Sequence, residues 1–260
     1  MRGSAHRSRS QLREHANCRH TGEGRGEQTM RVGIIGAGQI GGTLARRLTE
    51  LGHRIVIANS RGPASLADVA AATGATPVEV QDAVRGVDLI VLTIPLKNVP
   101  KLPGGLFANV PASTPVIDTC NYYPRQRDGR IAEIESGLPE SRWVEQQIGH
   151  RVVKVFNNIY AQHLAELGKE AGAPDRIALP VAGDDPATKA IVLALVENLG
   201  FDALDAGTIA DSWRQQPGTP AYCTDLSVAA LRRALAEAPH ERTADWRGTD
   251  KSPGTFAGPA

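Results

Sequence analysis

The sequence predicts a doubly wound α/β fold, a mostly parallel sheet with helices on both faces. Three observations carry that expectation. Short β-branched runs alternate along the chain with amphipathic helical stretches, as in a parallel sheet built from strand–helix–strand units. The run VDLIVLTIP from Val87 is nearly unbroken apolar, which suits a strand covered on both faces. Met30 to Arg61 reads MRVGIIGAGQIGGTLARRLTELGHRIVIANSR, a strand, a glycine turn, a helix and a second strand.

Taken in order, Val32 to Ile35 has the length and branching of a buried strand. Ile40, Leu44, Leu48 and Leu51 then recur at helical spacing, and Gly52 closes the helix. Ile55 to Ile57 is the second strand. A helix is expected over Ala64 to Thr73, stopped by Gly74, and then a short third strand in ATPVEV and a brief helix including Gln81 to Arg85. The central strand from Val87 ends at Ile94-Pro95. A loop and helix over Lys97 to Asn109 are loosened by Pro100 and Pro103, and TPVIDTCN is a fifth strand ending at Asp118 to Asn121.

A polar loop with helical turns leads to a sixth strand, Val152 to Phe156, and a helix from Tyr160 to Leu167. DRIALPVAGDD holds a further strand. Asp185 can cap the next helix, with Pro186 at its first position, and Gly200 ends it after Leu199. FDALDAG is the last short strand, and TIADSWRQQPGTPAYCTDL an irregular loop. The final helix, Leu226 to Ala238, has apolar positions that could cover the sheet edge or a second subunit. The expected strand order is 3-2-1-4-5-6, with one or two strands added at the far edge.

Composition narrows the function classes. Hydrophobic residues make up 41% and charged residues 22%, ordinary for a globular protein. A formal net charge of +1 and only 4% aromatic residues argue against a nucleic-acid binder. No apolar run reaches the length of a membrane span. Cys18, Cys120 and Cys223 are scattered, with no metal or disulfide framework, which suits a reducing cytoplasm. Residues 1–29 are polar and basic and read as a disordered leader, and Met30 stands where the first strand begins, a candidate natural start. Residues 239–260 read as a loosely held tail, leaving residues 30–238 as one unit.

The glycines supply the first functional signal. Gly36, Gly38 and Gly41 have G-x-G-x-x-G spacing after a strand and at the start of a helix. In that setting the first permits the tight turn, the second lets backbone approach a diphosphate, and the third lets helix pack on sheet. The helix N-terminus offers free N–H groups to the phosphates. The unit is therefore expected to be an NADP-binding Rossmann-type domain. The second strand ends in Asn59, Ser60 and Arg61 rather than in an acid. A carboxylate there would favour the free 2′-hydroxyl of NAD(H), whereas Ser60 and Arg61 can donate to a 2′-phosphate, so NADP(H) is the expected nucleotide.

Together with this turn, the stretches NSR, VVKVFNN and VAGDDPATKAIVLALVENLGFDALDAG resemble the NADPH-dependent deazaflavin-coenzyme reductases. The layout is also similar to the cytosolic reductase domain of the six-transmembrane metalloreductases. The resemblance runs from about Met30 to Leu226 and implies hydride transfer between NADP(H) and a flavin or deazaflavin, usually by a dimer. It implies that Gly36, Gly38, Gln39 and Ile40 hold the diphosphate and that Asn59, Ser60 and Arg61 hold the 2′-phosphate. Ile94 and Pro95 would line the nicotinamide side, and Asn121, Phe156 and Asn157 would border the acceptor cleft. DTCNYYPRQRDGR and SWRQQPGTPAYCTDL depart from the family pattern, both on the acceptor side.

Hydride transfer to a flavin-like ring needs positioning and exclusion of water more than a dedicated acid. Asn121, Asn157 and Asn158 suit an orienting role and suit equally well as turn residues at strand ends. A small carbonyl or imine acceptor would instead need a proton donor, for which Tyr122, Tyr123, Lys154 and His163 are candidates. In bland readings Lys154 faces solvent, His163 is a surface or packed histidine, and Cys120 is a small buried thiol. Trp213, Arg214 and Gln215 either close over a ligand or pack a surface loop. A non-enzymatic NADP(H) sensor would keep the glycine turn and Arg61 without an acceptor cleft. The expected partners are thus a small-molecule acceptor and a second copy of the chain, with no nucleic acid and no membrane.

Overall fold

The computed structural model describes residues 29–240. The leader up to residue 28, with Cys18, and the tail beyond His240 lie outside the described residues.

The chain begins with β1 (Arg31–Ile35), α1 (Gln39–Glu50), β2 (Arg54–Ala58), α2 (Ala67–Thr73) and β3 (Thr76–Pro77). Next come β4 (Leu89–Leu92), β5 (Val116–Asp118), α3 (Ala132–Glu135), α4 (Glu140–Ile148) and β6 (Val153–Lys154). The chain continues through α5 (Ala161–Glu166), β7 (Ala178–Gly183), α6 (Pro186–Asn198), β8 (Asp202–Asp205) and α7 (Val228–Ala236). The strands form one sheet in the order β3-β2-β1-β4-β5-β6-β7-β8, the expected order with two strands added at the far edge. Neighbours from β3 through β6 are parallel. The added pair is parallel within itself but antiparallel to β6, with Val153 opposite Gly183.

Burial explains the layers. Helix α1 buries Leu44, Ala45 and Leu48, and α6 buries Val192, Leu195 and Val196, in one core with Val32, Ile34 and Leu89 of the sheet. A second core holds Ile35, Ile90 and Leu92 against Trp143 and Val144 of α4. The alternation of Ile34 and Ile35 between the two cores is the period-two signature of a strand buried on both faces. The α7 helix packs Leu231, Ala234 and Leu235 on Ala178 and Leu204, so it covers the far edge of its own sheet. Asp185 caps α6 by accepting from the Thr188 N–H at 2.8 Å.

Four local expectations change. Residues 81–85 are turns rather than helix. The helix expected over Lys97 to Asn109 is a short 3-10 helix, Leu96–Lys101, followed by turns, because Pro100 and Pro103 withhold the donors an α-helix needs. The sixth strand stops at Lys154 instead of Phe156, which adopts φ 61° and so leaves the ladder. The irregular loop after β8 contains a 3-10 helix, Ile209–Gln215, started by a capping box between Thr208 and Asp211. No described helix is long and apolar enough to cross a membrane.

Candidate active site

The glycine turn is built as its spacing predicts. Gly36 has φ 115°, a conformation that side chains rarely tolerate, and its N–H bonds to Ala58 O at 2.8 Å, tying the turn to the end of β2. A Cβ on Gly41 would overlap the Gly36 carbonyl oxygen, so this glycine sets how closely α1 approaches the turn. Gly38 is different. A Cβ there would meet nothing within 4 Å, so no protein contact requires a glycine. Its small size matters only to something that approaches from outside. Gly38 is also the N-cap residue of α1, with no side-chain cap, which leaves orphan first-turn N–H groups on that side.

The loop after β2 divides the work between its residues. Asn59 Oδ1 accepts from the Arg61 N–H at 2.8 Å, and Asn59 Nδ2 bonds to Ser65 Oγ at 2.9 Å. Asn59 therefore braces the loop with its side chain. Ser60 and Arg61 are exposed, and their side chains have no hydrogen bond or ion pair among the described residues. A free serine hydroxyl and a free guanidinium are donors without an internal acceptor.

These pieces line one cavity of about 890 Å³. Its walls are Ile35–Gly38 from the turn, Asn59–Gly62 from the β2 loop, Glu79–Gln81 from beyond β3, and Thr93–Pro95 from the end of β4. Asn98 and Lys101–Pro103 complete it. The structure thus brings Gly36, Gly38, Asn59, Ser60, Arg61, Ile94 and Pro95 together. Gln39, Ile40 and Gly41 are not on the wall: Gln39 is exposed, Ile40 packs against the core and Gly41 is buried under the turn. Glu79 and Lys101 went unpredicted because nothing local marks them; β3 and the 3-10 helix bring them in.

The acceptor-side residues gather beyond β5 and β6, and none of them lines this cavity. Asn121 Nδ2 donates to Asn157 O at 2.8 Å, and Asn157 Nδ2 donates to Asn121 Oδ1 at 3.1 Å. Asn157 also donates to Gln215 O and accepts from Gln215 Nε2 at 3.0 Å. Gln215 is fully buried and tied to Pro180 O, so it locks β6, β7 and the 3-10 helix together rather than reaching for solvent. Phe156 needs correction: its ring has no exposed surface and lies in the core, so it does not border a cleft. Asn158 also holds the fold, donating to Ala221 O.

Lys154 corrects the reading that it faces solvent. It is completely buried, 3.2 Å from the equally buried Asp118 carboxylate, and also donates to Cys120 O. Asp118 further accepts from Ser141 Oγ at 2.7 Å and the Cys120 N–H at 2.8 Å. A charged pair this enclosed holds the ends of β5 and β6 in fixed register. Burial, then the Asp118 carboxylate, pushes the Cys120 thiol well up, so it stays a neutral packed thiol.

Of the candidate proton donors, Tyr122 is buried with its hydroxyl accepting from the Ile131 N–H, and His163 is half-buried against Asp225. The Tyr123 and Tyr222 hydroxyls are hydrogen-bonded to each other. Burial pushes both phenols up. Arg127 links this region to the cavity. Its guanidinium donates to Asn121 O at 2.6 Å and its carbonyl accepts from Lys97 Nζ at 2.6 Å, two residues past Pro95. Trp213 carries the Arg214 guanidinium 4.8 Å above its ring and stacks with His240 at 4.2 Å, a packed surface arrangement.

Turn, sheet order and cavity together define the Rossmann class. Residues 31–122, from β1 past the end of β5, match the family model described as NADP oxidoreductase coenzyme F420-dependent. A solved hypothetical protein, SMa0349 from Sinorhizobium meliloti, is 31% identical, with a TM-score of 0.65 over 76% of this chain and 95% of that one. A provisionally named F420-dependent NADP-reductase from Arthrobacter sp. FB24 is 25% identical, with a TM-score of 0.58 over 70% and 87% of the two chains. The protein YjhV of Escherichia coli (strain K12) is 49% identical over 64 residues, and the match spans 47% of that relative's length and 25% of this chain. The chain belongs to the coenzyme F420-dependent NADP oxidoreductase family, the one its sequence resembles.

Proposed function

We propose that the protein is an NADP(H)-dependent oxidoreductase that transfers hydride between NADPH and a flavin or deazaflavin-like acceptor. The observation that carries this reading is the cavity itself. One space joins the open glycine at Gly38, the partner-free Ser60 and Arg61, and the Ile94-Pro95 end of the central strand. Open N–H groups at α1 suit a diphosphate, and a guanidinium with a hydroxyl suits a 2′-phosphate. Asn59 contributes by holding that loop in shape.

NADPH supplies the hydride when bound. The chain's part is to bind, orient and exclude water. Ile94 and Pro95 give an apolar wall at the carboxyl end of β4, where ligands sit in doubly wound sheets. Half-buried Asn121, held from beneath by buried Asn157 and Gln215, is the fixed polar group that this side offers to an acceptor ring. No side chain needs to ionise in this scheme.

A small carbonyl or imine acceptor has one observation in its favour. The Tyr123–Tyr222 pair holds two phenols in their neutral, proton-donating form on this side. The deciding experiment follows NADPH absorbance anaerobically with coenzyme F420, free flavins, and a panel of small ketones and cyclic imines. Rapid oxidation with the deazaflavin or flavins alone supports the first reading. Turnover only with ketones or imines, abolished by Tyr123→Phe, supports the second. Tight NADPH binding with no turnover on any of them leaves a sensor and refutes both.

A further inference from the structure

The end of β2 carries no acid, yet the fold returns one to the same cavity. Strand β3 runs parallel to β2, with Val56 opposite Thr76 and Ile57 opposite Pro77, so the two chains leave the sheet side by side. Glu79, two residues past β3, therefore emerges beside Gly62. A Cβ built on Gly62 would lie 3.9 Å from Glu79 Oε1. The Glu79 carbonyl accepts from the Asp82 and Ala83 N–H groups, which fixes the turn that carries the side chain. Glu79 lines the cavity, its carboxylate has no hydrogen bond or ion pair among the described residues, and Arg61 on the same wall is not paired with it.

An ionised carboxylate only accepts hydrogen bonds. Phosphate oxygens would be repelled by it, so whatever it meets in this cavity must donate. On the NADP(H) reading, from which this inference follows, the diphosphate belongs to the glycine turn and the 2′-phosphate to Ser60 and Arg61. Two donors are left at this end of the nucleotide, the ribose 3′-hydroxyl and the exocyclic amine of adenine. The hydroxyl is vicinal to the 2′-phosphate and so lies with the Ser60 and Arg61 donors, which leaves the amine for a carboxylate. We infer that Glu79 accepts a hydrogen bond from that amine and so makes the site selective for an adenine nucleotide.

The test compares NADPH with its purine analogue, in which the exocyclic amine is replaced by hydrogen and ring N1 stays an acceptor. Both are titrated by fluorescence against the wild type and Glu79→Gln, an exposed substitution that leaves the core untouched. A hydrogen bond to a charged group at an open site implies roughly a tenfold preference of the wild type for NADPH. Glutamine can still accept from the amine but without the charge, so the preference should shrink several-fold. An equal change for both nucleotides on Glu79→Gln would overturn the inference, since Glu79 would then act on the ribose hydroxyl or the phosphates, which the two share. Equal binding of the two nucleotides by the wild type would overturn it as well while leaving NADP(H) binding intact. Failure of both to bind would instead remove the underlying reading and this inference with it.

Discussion

The two halves of the carboxyl edge are built in opposite ways. On the β1–β2 side, backbone shape makes the site: Gly36, Gly38 and Gly41 lie within one turn and helix start, and the free side chains of Ser60 and Arg61 follow the next strand. On the β5–β6 side, the arrangement is made of side chains far apart in sequence. Asn121 and Asn157 are 36 residues apart, and Asn157 and Gln215 are 58 apart. A local backbone device can be open and loosely packed because its strand and helix hold it. A network assembled from three strands and a 3-10 helix holds its geometry through enclosure and several hydrogen bonds at once.

The largest expected effect lies in the enclosed half. Lys154→Met leaves Asp118 buried without its cation, which should cost about 3–5 kcal/mol in denaturant unfolding. Adding Asp118→Asn should restore much of that, because no buried charge then remains. A single variant within about 0.5 kcal/mol of wild type would show that this half is not organised around the pair.

The open half should respond less in stability and more in binding. Gly41→Ala forces a Cβ into the Gly36 carbonyl and should destabilise by about 1–3 kcal/mol. Gly38→Ala meets no protein atom, so unfolding should stay within about 0.5 kcal/mol of wild type while NADPH affinity falls. Unfolding and nucleotide titration of the two variants together separate packing from ligand approach. Equal loss of stability in both would erase the distinction.

The smallest effect is a pH dependence at the exposed end of β7, next to the enclosed half. Burial works against ionised Asp184, but the Ile209 N–H and the Arg142 guanidinium outweigh it and hold the carboxyl below its usual range. A depressed folded-state pKa stabilises above the unfolded value and is lost as pH falls through the folded one. The thermal midpoint should therefore drop as pH falls below the ordinary aspartate range of about 4, and Asp184→Asn should flatten part of that drop. An unchanged profile in the variant would place the titrating group elsewhere.

This division also decides what the sequence discloses. The β1–α1–β2 unit is legible because its signals are local: a β-branched run, glycine spacing, helical periodicity, and residues at a strand end. The strand order followed from the alternation of elements. Lys154 was opaque because alternation in VVKV reads as one face toward solvent, and only the pairing of β6 with β5 places Asp118 beside it. The signal available in hindsight was two opposite charges, in VID and VVKV, inside otherwise apolar strands. Phe156 was misplaced because positive φ at a non-glycine residue has no sequence mark. The reversed direction of β7 and β8 was equally hidden, since a strand's apolar content does not encode its direction.

On the proposed function, the open half holds NADP(H) through Arg61. Calorimetric titration of wild type and Arg61→Ala with NADPH and NADH tests it most directly. The wild type should bind NADPH far tighter than NADH, and Arg61→Ala should weaken NADPH by about ten- to a hundredfold while leaving NADH unchanged. Equal affinities for the two nucleotides in the wild type, or an unaltered preference in Arg61→Ala, would contradict it.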